Sequence, residues 1–302
     1  MKDIKELLDF GLINIDKPAG PTSFSVSEFV CRKLGLSKTS HMGTLDPKVT
    51  GVLPITLGRA CKLAGYFIKH DKSYVGVLET HKVCDIVELQ KLIDENFVGK
   101  IRQTPPHRSA VKREERIREV FFWKLLEASD NGKSFLFECR VEGGTYIRKL
   151  CSDLGDMIGG GHMASLRRIE AGIFSEEIGG SREVRGGRWR LVSLYEFETA
   201  VEAWKNGDDS LLRRMVVPAE EAIREVLPVV EVDKSALKSL YIGRPLLARN
   251  VVSRGDGLQV TGNGYKIKED EVFALFCGDV FVGTYKRIGG DALFGRAEFV
   301  KN

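Results

Sequence analysis

The sequence predicts an α+β fold with a mainly antiparallel sheet, followed by a small and mostly β domain. Two observations lead to this prediction. Over residues 11–190, apolar runs typical of strands are mixed with stretches of helical periodicity, an order found in α+β domains. After a helical stretch that ends at Leu227-Pro228, short apolar runs alternate with glycine-containing turns, which is typical of a small β-barrel.

The elements of the first part follow from local periodicity and from turn residues. Apolar and β-branched runs predict strands at residues 11–17, 72–79, 109–112, 117–126 and 134–141. Helical spacing predicts helices at residues 23–34, 57–69, 85–96 and 147–158. Thr22 or Ser23 is expected to cap the first of these helices, and Thr145 the last.

The second part is predicted from shorter strands. Residues 228–232, 245–248, 257–261, 271–277, 280–285 and 293–300 are expected to form them. We therefore expect an N-terminal segment at residues 1–10, an α+β domain at 11–226 and a β domain at 227–302.

The composition excludes several classes of protein. The chain has 302 residues, of which 43% are hydrophobic, so packed cores are expected and disorder is not. No apolar run approaches the ~18 residues that cross a bilayer, and the start lacks a signal peptide, so a cytoplasmic protein without a membrane partner is expected. The 6 cysteines never form Cys-x-x-Cys, and we expect them to be reduced, mostly buried and free of zinc.

Positive charge is concentrated in two stretches. The net charge of +4 is compatible with RNA binding but does not establish it. Residues 102–118 contain Arg108, Lys112 and Arg113, and residues 182–190 combine arginines with Trp189. Each stretch has two open interpretations: a solvated charged surface, or a surface that contacts phosphates and stacks on bases.

Asp46 lies in a loop whose composition restricts its conformation. Pro47 fixes its own φ and biases Asp46 toward extended geometry, while Gly43 and Gly51 permit close approach or a positive φ. A carboxylate held in this way can act as a nucleophile or a base. Taken alone, however, an Asp-Pro pair is more typical of an Asx-turn that has no catalytic role.

Five segments in order resolve this ambiguity, because together they resemble the TruB superfamily of RNA pseudouridine synthases. These segments are Lys17-Pro-Ala-Gly-Pro-Thr-Ser23, His41-Met-Gly-Thr-Leu-Asp46-Pro, Lys72-Ser-Tyr74, Gly144-Thr-Tyr-Ile-Arg148-Lys-Leu and His162-Met-Ala-Ser-Leu166-Arg-Arg168. Singly, Arg148 is typical of a surface residue and Tyr74 of a strand core. Their ordered occurrence with Asp46 favours the family instead.

The resemblance implies a role for each matching residue. Asp46 would be the nucleophile, Arg148 its ion-pair partner, and Tyr74 the ring that stacks on the flipped uracil and takes part in proton transfer. Leu166 would form a wall of the substrate pocket, Lys17 would support the active-site loops, and His41 would contact RNA. The reaction implied is isomerisation of uridine to pseudouridine, which requires no metal or other cofactor.

Within this superfamily the chain resembles the archaeal and eukaryotic H/ACA enzymes, the dyskerin family, more than the bacterial tRNA position-55 synthase. The segment at 105–113 is short where bacterial members carry a longer loop, and residues 227–302 resemble a PUA domain, an RNA-binding module. Arg108, Lys112, Arg113 and Arg244 are the RNA-binding candidates.

The partners implied by this branch are H/ACA guide RNA, substrate RNA and three small proteins. These are a buttressing H/ACA protein, a Gar-type protein and a kink-turn-binding ribosomal-like protein. Residues 1–10 are expected to pack on the PUA domain. Two other functions remain open: a guide-independent tRNA position-55 synthase, and a non-enzymatic RNA-binding scaffold.

Overall fold

The structure, a computed structural model, describes residues 2–105, 114–176, 189–252, 267–289 and 293–301. It divides into two compact units, Met1–Val217 and Pro218–Asn302. The division lies before the helix Ala219–Val226, which the sequence assigned to the first domain. In this helix Arg224 donates a 2.8 Å hydrogen bond to the Gly278 carbonyl and lies over the Phe276 ring, so its contacts are with the second unit.

The first unit is built around one large sheet. Its strands are β1 (Gly11–Lys17), β2 (Thr39–His41), β3 (Thr50–Leu57), β4 (Lys72–Thr80), β5 (Gly99–Gln103), β6 (Arg116–Ala128), β7 (Ser134–Val141), β8 (Gly161–Ala171), β9 (Phe174–Ser175), β10 (Leu191–Ser193) and β11 (Val216–Pro218). The central order is β10-β1-β3-β8-β4-β7-β6-β5. Most pairs are antiparallel, as predicted, but β1 pairs with β10 and β3 with β8 in parallel.

Helices cover the apolar side chains of this sheet. They are α1 (Ile4–Asp9), α2 (Ser23–Leu34), α3 (Ala64–Ile68), α4 (Ile86–Asn96), α5 (Ile147–Ile158), α6 (Leu194–Lys205) and α7 (Ser210–Met215), with a 3-10 turn at Gly58–Leu63. Thr22 caps α2 by accepting a hydrogen bond from the Ser25 amide, which confirms one of the two predicted caps. The α1 residues Ile4, Leu7 and Leu8 are buried in the core of the first unit. The expectation that residues 1–10 pack on the C-terminal domain stays a prediction.

The second unit contains a smaller sheet. Its elements are α8 (Ala219–Val226), β12 (Val229–Glu231), α9 (Leu237–Tyr241), β13 (Leu246–Leu247), β14 (Val272–Cys277), β15 (Val280–Arg287) and β16 (Leu293–Val300), with 3-10 turns at Lys234–Ala236 and Ala248–Asn250. Among the described residues, 5 strands pair in the order β12-β14-β15-β16-β13. An isolated bridge joins Val232 to Val251, in the segments that follow β12 and β13.

Several local predictions were wrong or lie outside the described residues. Thr145 does not cap α5, since its hydroxyl donates to the Glu142 carbonyl and the helix begins at Ile147. The predicted helix at 57–69 is a 3-10 turn followed by the short α3. The predicted strands at 109–112 and 257–261 lie outside the described residues.

All 6 cysteines are free thiols, although only Cys139 and Cys151 are buried, so the prediction that most are buried was wrong. Across the described ranges, no helix combines the length and the apolar character needed to cross a membrane.

Candidate active site

The loop between β2 and β3 carries Asp46, and a buried lysine at the end of β1 holds this loop in place. Lys17, at the end of β1, is 0% exposed, and its Nζ donates to the carbonyls of Pro18 (2.9 Å), Pro47 (3.0 Å) and Val49 (2.8 Å). Burial lowers the pKa of Lys17. The Asp46 side chain itself is 49% exposed. A rigid loop therefore carries an accessible carboxylate.

A second set of contacts fixes the other side of the same loop. The Ser23 hydroxyl, at the start of α2, accepts a 2.8 Å hydrogen bond from the Leu45 amide and donates a 3.0 Å bond to the Leu45 carbonyl. Gly43 and Gly51 have φ angles of +92° and +100°, which confirms the backbone freedom predicted for them. The residue next to Asp46 is thus held by a buried side chain.

Arg148 is the second residue of α5 and forms an ion pair with Asp46 through Nη2 and Oδ2. The buried Gln103 side chain fixes the start of this helix: Nε2 donates to the Tyr146 carbonyl at 3.1 Å, and Oε1 accepts from the Tyr146 amide at 2.8 Å. The Arg148 and Asp46 side chains are 52% and 49% exposed. The ion pair is therefore half exposed to solvent.

Tyr74 and Leu166 lie on neighbouring strands and are both buried, at 7% and 8% exposure. Leu166, on β8, pairs in register with Gly76 on β4, where a Cβ would come within 2.8 Å of the leucine Cδ1. Tyr74 on β4 lies directly opposite Arg168 on β8 in the antiparallel register of these strands. Burial raises the pKa of Tyr74, and the charge of Arg168 acts in the opposite direction.

Two further cations are buried near this site and were not assigned a role from the sequence. Arg168 is 1% exposed, and its Nε donates to the Val52 carbonyl at 2.7 Å and its Nη2 to the Gly43 carbonyl at 3.2 Å. Lys72 is 5% exposed and donates to the Ile68 carbonyl at 2.6 Å and to the His70 carbonyl. Burial, followed by the charge of Arg168, lowers the pKa of Lys72 to about 8.

His41, the predicted RNA contact, is partly buried at the end of β2. Its Nδ1 is buried and has no hydrogen-bond partner among the described residues. Burial, and then the charge of Arg168, lowers the pKa of His41. A neutral imidazole is therefore favoured at this position.

The predicted RNA-binding residues are only partly covered. Arg108, Lys112 and Arg113 lie outside the described residues. Arg244 belongs to the second unit, in an exposed turn where Gly243 has a φ of +77°. Over the described ranges, no group of three or more His, Cys, Asp and Glu side chains could hold a metal ion.

The sequence did not reveal one part of the site, the contacts made by Gln103, Ser23, Lys72 and Arg168. Ser23, Lys72 and Arg168 lie inside the family motifs, which indicated that they could belong to the site. The sequence did not distinguish Arg168, which is buried, from the adjacent Arg167. Arg167 pairs instead with Asp16 and Glu176. Gln103 carried no signal of its own.

Two family models match consecutive parts of the chain. The model described as TruB family pseudouridylate synthase (N terminal domain) matches residues 31–147, and that of the tRNA pseudouridylate synthase B C-terminal domain matches residues 148–224. A probable tRNA pseudouridine synthase B of Korarchaeum cryptofilum is 44% identical over 255 residues, which are 83% of this chain and 74% of that protein. A protein of the same description from Methanopyrus kandleri is 42% identical over 260 residues, covering 85% and 72%.

Solved structures give a match over nearly the whole chain. A structure of a Cbf5–Nop10–Gar1 complex matches with a TM-score of 0.84 and 32% identity, covering 99% of this chain and 87% of that one. A structure of an H/ACA RNP bound to a substrate RNA containing 2′-deoxyuridine matches with a TM-score of 0.81 and 30% identity, with coverage of 99% and 87%. The chain therefore belongs to the TruB family of pseudouridine synthases and is an RNA isomerase.

Proposed function

We propose that this isomerase is the catalytic subunit of an H/ACA ribonucleoprotein and converts uridine to pseudouridine mainly in ribosomal RNA. The observation that carries the proposal is the match of 99% of the chain to structures described as Cbf5 complexes and an H/ACA RNP. A non-enzymatic scaffold is disfavoured by membership of an enzyme family and by the pairing of Asp46 with Arg148.

The chemistry assigns a task to each side chain of the site. The N1–C1′ bond of an extruded uridine breaks, the uracil turns and a C5–C1′ bond forms; C5 then loses its proton to solvent and N1 takes up a proton, so that the product is an isomer of the substrate. Asp46 acts as the nucleophile from its clamped loop, and Arg148 keeps it charged and oriented. Tyr74 stacks on the base and serves the removal of the C5 proton.

The remaining residues shape the pocket. Leu166 forms a wall beside Tyr74, Lys17 holds the loop, and the neutral imidazole of His41 contacts the RNA around the flipped nucleotide. All these tasks are performed by side chains of the protein, so the isomerisation needs no cofactor.

The second unit serves as a PUA-type RNA anchor in this proposal. Its five-stranded sheet and the bridge between Val232 and Val251 are compatible with a small barrel. Arg244 lies in an exposed turn and is available to a phosphate. Arg108, Lys112 and Arg113, which lie outside the described residues, are proposed as further RNA contacts on the basis of the sequence.

The proposed partners are guide RNA, substrate RNA and the small H/ACA proteins. Solved structures of similar chains are complexes with Nop10 and Gar1, which supports a buttressing protein and a Gar-type protein for this chain. The kink-turn-binding protein rests on the family resemblance alone.

A guide-independent tRNA pseudouridine-55 synthase is the second candidate, because several relatives at 37–44% identity are described as probable tRNA pseudouridine synthase B. The two candidates are separated by incubating the purified chain with transcripts that carry C5-tritiated uridine. A tRNA transcript is tested alone, and a ribosomal RNA fragment is tested with and without guide RNA and partner proteins. EDTA is added after the RNA has folded in monovalent salt, because no metal is expected to take part.

The proposal expects tritium release from the ribosomal fragment only when guide RNA and partners are present. Efficient release from position 55 of the tRNA alone, with none from the guided fragment, would overturn H/ACA guidance in favour of the tRNA enzyme. A rate that EDTA abolishes would contradict the assignment of the chemistry to protein side chains.

A further inference from the structure

We propose that Arg168 is a positioning residue that couples the Asp46 loop to Tyr74, so that both reach the same nucleotide in a fixed arrangement. The inference rests on the proposed roles of Asp46 and Tyr74 in the isomerisation. It concerns a residue that touches neither the carboxylate nor the substrate and acts through the backbone and a phenol.

The sheet places Arg168 between the two strands that carry these residues. Strand β8 lies between β3 and β4. On one side Arg168 is in parallel register with Gly51, at the end of the Asp46 loop. On the other side it is in antiparallel register with Tyr74.

The guanidinium uses this location to bind two backbone carbonyl oxygens, one on each side of Asp46 in the sequence. Its Nε donates to the Val52 carbonyl at 2.7 Å and its Nη2 to the Gly43 carbonyl at 3.2 Å, so it spans both ends of the loop. On the other side it lies next to Tyr74, which occupies the paired position on β4. A planar guanidinium holds several acceptors in fixed directions, which an ammonium group cannot do.

The glycines of the loop are packed directly on Arg168. A Cβ at Gly43 would lie 3.2 Å from the arginine Nη1, and a Cβ at Gly51 would lie 2.2 Å from its carbonyl oxygen. The positive φ of both glycines therefore coincides with close contact to Arg168. The contact at Gly43 depends on the arginine side chain, whereas the contact at Gly51 is to the backbone and would remain in any variant of residue 168.

Burying the charge of Arg168 costs free energy that an apolar side chain at this position would not cost. Arg168 is 1% exposed, and the two acceptors of its guanidinium are neutral carbonyl oxygens. Apolar side chains commonly fill such buried space at lower cost than a cation. A displacement of about 1 Å in a catalytic group can cost about 100-fold in rate, which gives the arginine a functional reason to be there.

The test compares Arg168→Met with Arg167→Met. Arg167 is the adjacent residue on the same strand and carries the same charge, but it binds Asp16 and Glu176 away from Tyr74. Arg168→Lys keeps the charge and loses the planar fork. Arg168→Gln is made as well, so that a folded variant is at hand if the methionine destabilises the protein.

Kinetics on C5-tritiated RNA give the first readout. In the folded Arg168 variants kcat should fall about 100-fold, KM should stay within about threefold, and lysine should recover little. Arg167→Met should keep both constants within about threefold. A general loss of structure would not produce this split, and a wild-type kcat in any folded Arg168 variant would overturn the inference.

RNA containing 5-fluorouridine gives the second readout, because fluorine at C5 blocks the proton removal assigned to Tyr74. Its consumption reports the earlier steps at Asp46. Arg168→Met should slow this consumption about tenfold or more. If Arg168→Met consumes 5-fluorouridine RNA at the wild-type rate, Arg168 acts only on the step assigned to Tyr74. This result would overturn the proposed coupling to the Asp46 loop.

Hydrogen–deuterium exchange of the protein alone gives a readout without activity. Peptides that cover residues 43–52 should exchange faster in Arg168→Met than in the wild type. In Arg167→Met they should exchange at the wild-type rate. Unchanged exchange in both would overturn the inference even if the enzyme is active. If wild-type protein modifies no RNA while exchange follows the expectation, the proposed function fails and the positioning by Arg168 stands.

Discussion

Replacing Lys72 by Met should change how the stability of the first unit depends on pH. Lys72 is almost fully buried beside Arg168 and donates to the carbonyls of Ile68 and His70. Its pKa is lowered from 10.5 to about 8, mainly by burial. Methionine has a similar length, carries no proton to titrate and removes the buried charge.

The sign of the effect follows from proton binding. Between pH 8 and 10.5 the folded protein has released the Lys72 proton while the unfolded chain still holds it. The unfolding free energy of the wild type therefore rises with pH in this window, whereas below it both states are charged. One pKa unit corresponds to about 1.4 kcal/mol, so the wild type should gain about 2 kcal/mol over Lys72→Met between pH 7.5 and pH 10.

Urea unfolding followed by tryptophan fluorescence measures this difference. Trp123, Trp189 and Trp204 are the 3 tryptophans of the chain, and all belong to the first unit, so the signal reports that unit. Tyr74 and the other titrating groups are present in both proteins, and their contributions largely cancel in the comparison. If the difference in unfolding free energy between the two proteins stays constant from pH 7.5 to pH 10, the lowered pKa of Lys72 is refuted.

Three further substitutions test the site and the second unit. Arg148→Ala should lower kcat by about 100-fold or more, and Arg148→Lys should restore little of it. The unfolding free energy should change by less than about 1 kcal/mol, because the ion pair is half exposed. A kcat within threefold of wild type would contradict this prediction. Gln103→Ala removes one hydrogen bond from the Tyr146 amide and one from the Tyr146 carbonyl, which still accepts from the Lys149 and Leu150 amides. It should lower the unfolding free energy by about 2 kcal/mol, measured in urea, and an unchanged midpoint would speak against it. Arg244→Ala should weaken RNA binding and reduce the slope of log affinity against log salt by about one, with kcat unchanged, and an identical salt titration would remove Arg244 from the interface.

The sequence predicted well those elements whose residues have a clear period. Strand Ser134–Val141 alternates buried and partly buried residues, and its bounds were predicted correctly. Helix α5 carries its apolar residues on one face, and Arg148 lies in its first turn as expected. Order along the chain was enough to suggest that Asp46 and Arg148 meet, and the structure brings them together.

Strands β3 and β8 were not predicted, for identifiable reasons. β3 contains Gly51 and Pro54, which favour turns, although it is almost entirely buried in the middle of the sheet. β8 carries Arg167 and Arg168 in succession, and charged residues are uncommon in a central strand. Their partners come from strands distant in the sequence, so only the folded sheet reveals that Arg168 is buried.

The buried cations of the site were hidden for the same reason. In the sequence alone, Lys17 and Lys72 resemble surface lysines, since each directly follows an aspartate, Asp16 or Asp71. In the structure their acceptors are backbone carbonyls of loops that fold over them. Such contacts depend on chain geometry and leave no pattern of residue types.

Asp46→Asn provides the most direct test of the central claim that Asp46 carries the isomerisation. The substitution keeps the size of the side chain and removes its charge, while the loop stays clamped through Lys17, Ser23 and Arg168. With C5-tritiated RNA, and with the partners that the wild type needs, the variant should bind RNA normally and release no tritium above the protein-free control. Tritium release by folded Asp46→Asn at a measurable fraction of the wild-type rate would contradict the account.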